Sequence, residues 1–136
     1  MDEKKLIYVA DDDPAIREAL KMFLESMGGY EVIIFEDGDL LLAEFKSRPS
    51  DLVILDVMMP GSSGFVICQE LRTFSHVPVI MLTARDSDLD YQTAMDLGSD
   101  DFFTKPTSPL NVVSRVNAIF RRIKYERDAA EKRQTT

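Results

Sequence analysis

Short apolar runs rich in branched residues alternate along this chain with longer segments whose apolar positions recur at helical spacing. Leu6 to Ala10 (LIYVA) reads as a buried strand. Pro14 then suits the first turn of a helix. Ile16, Leu20, Phe23, Leu24 and Met27 form its apolar stripe up to Gly28-Gly29. Glu31 to Phe35 (EVIIF) predicts a second strand. Asp37, Gly38 and Asp39 mark the turn into a helix carrying Leu41, Leu42 and Phe45, ended near Pro49. Leu52 to Leu55 is continuously apolar, as expected of a central strand covered on both faces.

The second half repeats the rhythm. MMPGSSG after Asp56 reads as a loop from its Pro and Gly content, and a helix with Val66, Ile67, Glu70 and Leu71 follows. Val77 to Leu82 predicts a fourth strand, Asp86 to Leu97 a more polar helix stopped by Gly98, and Asp101 to Thr104 a short fifth strand. Pro109 opens a last helix with Val112, Val113, Val116, Phe120 and Ile123 on one stripe. Five strand-then-helix repeats predict an α/β doubly wound fold, a parallel sheet with right-handed crossovers and helices on both faces. The stripe fades after Tyr125, so residues 125–136 are expected to be a charged helical extension or linker, truncated before a further domain if the natural chain continues.

Bulk properties narrow the choice of function. The chain has 136 residues, one domain by length, and a formal charge of -8. With a pI near 4.6, that charge disfavours direct binding to nucleic acid or an anionic membrane surface. The lone Cys68 excludes an internal disulfide and supplies no zinc-ligand set. No opening apolar stretch is long enough for a signal peptide or membrane span, which leaves the cytoplasm as the expected location.

Candidate chemistry sits at the ends of the predicted strands. Asp11-Asp12-Asp13 follows the first, Asp56 the third, Thr83 the fourth and Lys105 the fifth. In a parallel sheet all of these emerge at one carboxyl edge, where open α/β sheets keep their sites. Singly, each has an ordinary explanation: an acidic pair caps a helix, a lysine is solvated, a threonine ends a strand. Asp13, just before Pro14, is the natural cap, which frees Asp11 and Asp12. In strand order 2-1-3-4-5 Asp56 stands beside them, and clustered carboxylates repel unless a cation joins them or their pKa values rise. Magnesium suits such a set, with a backbone carbonyl after Asp56, that of Met58, as a further ligand. Thr83 and Lys105 then supply a hydroxyl and an ammonium for phosphoryl oxygens, with Asp56 as the acceptor.

In combination, IYVADDDP, LVILDVMMPGSSG, VIMLTA and GSDDFFTKP resemble the receiver domain of two-component response regulators, over Lys5 to about Ile123. SDDFFTKPTSP with Arg115 and Arg121-Arg122 is most similar to the class with a winged-helix DNA-binding output. The resemblance implies a flavodoxin-like fold with residues 1–124 as the receiver, and Asp56 as acceptor of phosphoryl from a sensor histidine kinase or phosphotransfer protein. It implies Asp12 as a direct Mg²⁺ ligand, Asp11 as one through water, and Thr83 and Lys105 as phosphoryl contacts. Phe102 becomes a switch aromatic, Lys105-Pro106 a cis peptide bond, and Met58 and Arg85 tuners of phosphoaspartate lifetime. Small Ala84 leaves Asp56 accessible. The chain is a signalling switch in this reading, with an enzyme's role only in its own phosphorylation and slow dephosphorylation. The face of the fourth helix, fifth strand and fifth helix would control transcription and could pair with a second copy through Asp100, Asp101, Arg115 and Arg122.

Four positions depart from the family pattern. Phe102 replaces the commoner tyrosine, Thr107 the usual phenylalanine, and Tyr91 with Asn111 a basic-acidic pair. A dehalogenase-like phosphatase would need an acid where Met58 stands, and a flavin module a phosphate-cradling loop where DDDP stands. Phe103, Cys68, Gly64, Gly98 and His76 are expected to be, respectively, a packing group, a small apolar group, a turn glycine, a helix stop and a loop residue.

Overall fold

A computed structural model describes residues 4–84, 88–105 and 107–135. Its strands are β1 (Leu6–Ala10), β2 (Glu31–Phe35), β3 (Leu52–Asp56), β4 (Val79–Thr83) and β5 (Asp101–Thr104). The helices between and after them are α1 (Pro14–Gly28), α2 (Gly38–Ser47), α3 (Gly64–Arg72), α4 (Asp88–Asp96) and α5 (Pro109–Thr135). All neighbouring strands pair in parallel, in the order β2-β1-β3-β4-β5. This is the doubly wound, flavodoxin-like arrangement expected from the alternating pattern.

The pleat sends successive side chains of each strand to opposite faces, and helices cover both. Ile7, Val9, Ile54 and Ile80 pack with Leu20 and Leu24 of α1 and with Val112, Val113 and Val116 of α5. Tyr8, Val53, Leu55 and Met81 pack on the other face with Leu41 and Phe45 of α2, Ile67, Cys68 and Leu71 of α3, and Ala94 of α4. β1, β3 and β4 are buried along their whole length, as continuous apolar runs require. Phe102 joins one core and Phe103 the other, so both pack, because both faces of the sheet are covered.

Local chemistry sets the joints. Asp13 caps α1 by accepting from the Ala15 N–H, and Gly29 closes that helix at φ 72°. Asp37 and Ser63 cap α2 and α3 in the same way. Gly98, at φ 93°, ends the turn after α4 as expected.

Several expectations shift. β4 begins at Val79, because Pro78 has no N–H to pair; its carbonyl instead accepts from Val53. Met27, Val66 and Ile123 are exposed rather than core. In α3 the buried stripe is Gly64, Ile67, Cys68 and Leu71, which turns Val66 outward. Gly64 is no turn residue: it opens α3 and lies against the backbone of β3. Helix α5 continues unbroken through the charged segment to Thr135, the helical extension of the two alternatives offered by the sequence. The start of the fourth helix at Asp86, the Lys105-Pro106 bond, Arg85 and Thr136 lie outside the described residues.

A Cβ added at Gly64 would stand 2.3 Å from the Asp56 carbonyl oxygen and 3.0 Å from the Val57 Cα. Gly64→Ala is therefore expected to destabilise the fold by about 1–3 kcal/mol, since neither backbone atom can swing aside. Urea unfolding of the two proteins checks this; coincident midpoints would show that the joint yields freely.

Candidate functional site

Parallel register brings the candidate residues to one edge. Ala10 is level with Leu55, Asp56 with Leu82, and Thr83 with Thr104. Asp11 and Lys105 each stand one residue beyond their strand's last pair, on either side of the Asp56 and Thr83 ends. Side chains that are 94 positions apart at the extremes, Asp11 to Lys105, therefore meet.

Asp11 and Asp56 are both buried, and the Lys105 ammonium lies between them, 2.8 Å from Asp11 Oδ2 and 3.2 Å from Asp56 Oδ2. Lys105 thus contacts both carboxylates, the shorter contact being to Asp11. Asp11 Oδ1 accepts from the Asp13 N–H at 2.9 Å, and Asp56 Oδ1 from the Met58 N–H at 3.1 Å. Asp12 is exposed beside them. One carboxylate oxygen from each of Asp11, Asp12 and Asp56 lies within 4.8 Å of the others, close enough to share one ion. Three carboxylates against one ammonium leave two negative charges in excess, which matches a divalent cation bound through oxygen.

Burial pushes the Asp56 carboxyl up to about 6, the adjacent Asp11 charge pushes in the same direction, and Lys105 and the Met58 N–H only partly offset them. Burial works to lower the Lys105 ammonium, yet Asp11 and Asp56 outweigh it and hold that pKa above its ordinary value. The lysine stays charged while the central carboxylate is held near the pH at which it gains a proton.

Thr83 is buried at the end of β4, and its carbonyl accepts from the Lys105 N–H at 2.6 Å, which seats the lysine at the β5 exit. Phe102 is half-buried over the core of α2 to α4 and meets the exposed Tyr91 edge-on, ring centroids 5.7 Å apart. Ala84, Thr107 and Pro109 line an apolar cleft of about 380 Å³ with Ala15, Ile16 and Lys105, next to the acidic cluster. Cys68 is buried and His76 exposed in a loop, away from the site.

One neighbour of the site went unread in the sequence. Arg17, half-buried on α1, donates from Nη1 to the Asp11 carbonyl at 2.6 Å. A cation six residues beyond Asp11, one turn into the helix that Asp13 starts, was the available signal.

The raised Asp56 carboxyl has a consequence for stability. Below about pH 3.8 the group is protonated in both folded and unfolded chains. Between there and about pH 6 the folded chain keeps a proton that the unfolded chain loses, so stability falls as pH rises through that window. In metal-free buffer at pH 7 to 8, Asp56→Asn is expected to be more stable than the parent by on the order of 2 kcal/mol. The gap should close as pH falls toward 4. Denaturant titrations in a chelator, repeated across pH, measure it; a variant weaker than the parent at pH 7 would contradict the burial penalty.

The response regulator receiver domain family matches residues 7–117. The sensory transduction protein RegX3 of Mycobacterium tuberculosis is 41% identical over 116 residues, covering 85% of this chain and 51% of that protein. The transcriptional regulatory protein BaeR of Escherichia coli is 36% identical over 122 residues, covering 90% of this chain and 50% of its own length. The chain thus spans about half the length of these curated relatives. Among solved structures, the BeF3-activated receiver domain of DrrB, a Thermotoga maritima protein, superposes with a TM-score of 0.80 at 30% identity, covering 88% of this chain and 99% of that one. Among the described residues no helix is long and apolar enough to cross a membrane. With its motifs, sheet order and acidic cluster in agreement, this chain belongs to the response regulator receiver domain family.

Proposed function

We propose that this chain is a phosphorylation-driven switch, with Asp56 taking a phosphoryl group from the phosphohistidine of a sensor kinase or phosphotransfer protein in the cytoplasm. The observation that carries this reading is the convergence of Asp11, Asp12 and Asp56 on one point, with Lys105 wedged among them. An Asp56 oxygen forms the new O–P bond as the donor's P–N bond breaks, and the imidazole leaves with that electron pair. Holding acceptor and donor in line accounts for most of such a step.

A magnesium ion held there would supply charge neutralisation for the transferring phosphoryl oxygens. Asp12 and Asp56 are proposed as its direct ligands, together with the Met58 carbonyl. Asp11 is proposed to act through water, and its engagement supports this: Oδ1 already accepts from Asp13, and Oδ2 faces Lys105. Lys105 exchanges its contact with Asp56 for one with the new phosphoryl oxygens, and Thr83 supplies a hydroxyl to another. Ala84 adds no bulk over the acceptor, and Met58, which is exposed, is proposed to tune how fast water reaches the product.

The switch is proposed to run through Phe102 to the face of α4, β5 and α5, shifting an existing equilibrium. Asp101 is paired with Arg115 at 2.6 Å and Asp100 with Arg72 at 3.3 Å within the chain. A homodimer through that face would exchange these partners for those of a second copy. Residues 1–124 form the receiver in this reading. The segment 125–136 is proposed as the lead into an output domain that acts on transcription, as the relative BaeR, a transcriptional regulatory protein, suggests.

With Mg²⁺ and a small phosphodonor, the intact mass should rise by one phosphoryl group, and neither a chelated sample nor Asp56→Asn should show the increase. An adduct that persists in Asp56→Asn would remove Asp56 from its role. Adding beryllofluoride and Mg²⁺ should also shift the Phe102 ring signals in NMR spectra; ring signals that stay in place would break the proposed link to the switch face.

A further inference from the structure

We infer that Arg17 is a positioning residue for the cation site, holding the peptide that aims Asp12 into the acidic cluster. This rests on reading that cluster as the Mg²⁺-assisted phosphoacceptor proposed above.

Asp11 is held by its backbone and one carboxylate oxygen, and its other oxygen makes an ion pair with Lys105. Its N–H donates to the Phe35 carbonyl at 3.2 Å, Oδ1 accepts from Asp13, Oδ2 faces Lys105, and its carbonyl accepts from Arg17 Nη1 at 2.6 Å. That carbonyl belongs to the peptide unit whose N–H is that of Asp12. The unit is planar, so fixing the direction of the Asp11 carbonyl fixes the plane from which the Asp12 backbone departs. Asp12 has no comparable anchor. Its carboxylate is exposed, and it makes no hydrogen bond or ion pair among the described residues. Its aim therefore depends on its backbone, and Arg17 is the side chain that grips the preceding peptide.

Arg17 is itself well seated. Its own N–H donates to the Asp13 carbonyl at 3.1 Å, in the first turn of α1. The capped and proline-started helix thus delivers the guanidinium back under the loop it has just left. A charged donor to a carbonyl makes a stronger and shorter bond than a neutral one. Partners of this kind, one shell out from a metal ligand, typically govern affinity by 10–100-fold.

Two effects of removing Arg17 have opposite signs, and the sign separates positioning from plain electrostatics. Losing a positive charge near three carboxylates would tighten binding of a cation. Losing the grip on the Asp11–Asp12 peptide would loosen it. The guanidinium touches a carbonyl rather than a carboxylate, and half-buried Arg17 keeps contact with water, so solvent weakens its charge and the loss of aim dominates.

The experiment compares the full chain with Arg17→Met, which keeps the length and apolar bulk of the stem, by calorimetric Mg²⁺ titration and by denaturant unfolding in a chelator. Arg17→Met is expected to bind Mg²⁺ about tenfold more weakly. Phosphorylation by a small phosphodonor should need correspondingly more Mg²⁺ yet reach a similar rate at saturation. Mg²⁺ affinity equal to or tighter than the parent's overturns the inference, including in a variant that only loses stability. If Arg17→Met does not fold, Arg17→Lys serves in its place, with an expected loss of about threefold because a shorter, single-point donor grips less firmly; parental affinity there overturns it equally. A parent that neither binds Mg²⁺ nor gains phosphoryl would instead sink the proposed function, whereas a parent that does both beside an unaltered variant would sink only the role of Arg17.

Discussion

Two buried carboxylates held apart by a single ammonium are the constraint around which this molecule is built. Asp11 and Asp56 stand at the ends of adjacent buried strands, and parallel pairing leaves neither free to move away. Removing two like charges from water is costly unless an opposite charge and hydrogen bonds meet them. Lys105 and the N–H groups of Asp13 and Met58 meet only part of that cost, and the residue appears as the raised pKa of Asp56. Asp11, Asp12 and Asp56 are thus left with more negative charge than Lys105 balances, which suits a divalent cation.

The rest of the fold keeps that tension from relaxing. β1, β3 and β4 are buried throughout, and the helices on both sides leave the sheet no soft face. Gly64 lets α3 start hard against the Asp56 carbonyl, so the strand that ends in Asp56 is braced from behind. Arg17 braces the acidic loop in front, through the Asp11 carbonyl. Close packing transmits displacement instead of absorbing it, which suits a site that must report its own modification.

The opposite end of the fold is tied differently. Arg72 donates to the Gly98 carbonyl from both Nε and Nη2, at 3.0 and 2.7 Å, and reaches Asp100. Arg115 closes on Asp101. These contacts are polar and partly solvated, so exchanging one partner for another changes the energy little. Short β5 runs between the two ends: Asp101 opens it beside Arg115, Phe102 follows, and Lys105 just beyond it reaches Asp11 and Asp56.

The periodicity of the chain, by itself, determined five strands, five helices and their layering, because alternation of apolar runs with helical stripes admits few other packings. Turn chemistry placed the Asp13 cap and the Gly29 and Gly98 stops. The site was legible as a list, Asp11, Asp12, Asp56, Thr83 and Lys105, since each follows a strand, and parallel strands share an edge. Periodicity misjudged Met27, Val66 and Ile123, whose exposure depends on where each helix meets the sheet rather than on hydrophobicity. Only tertiary structure decided that Lys105 lies closer to Asp11 than to Asp56, that Gly64 abuts the backbone of Asp56, and that Arg17 grips the acidic loop. Those facts are distances between segments far apart in the chain or around a helical turn. They are set by register and packing, to which a linear pattern of residue types carries no coordinate.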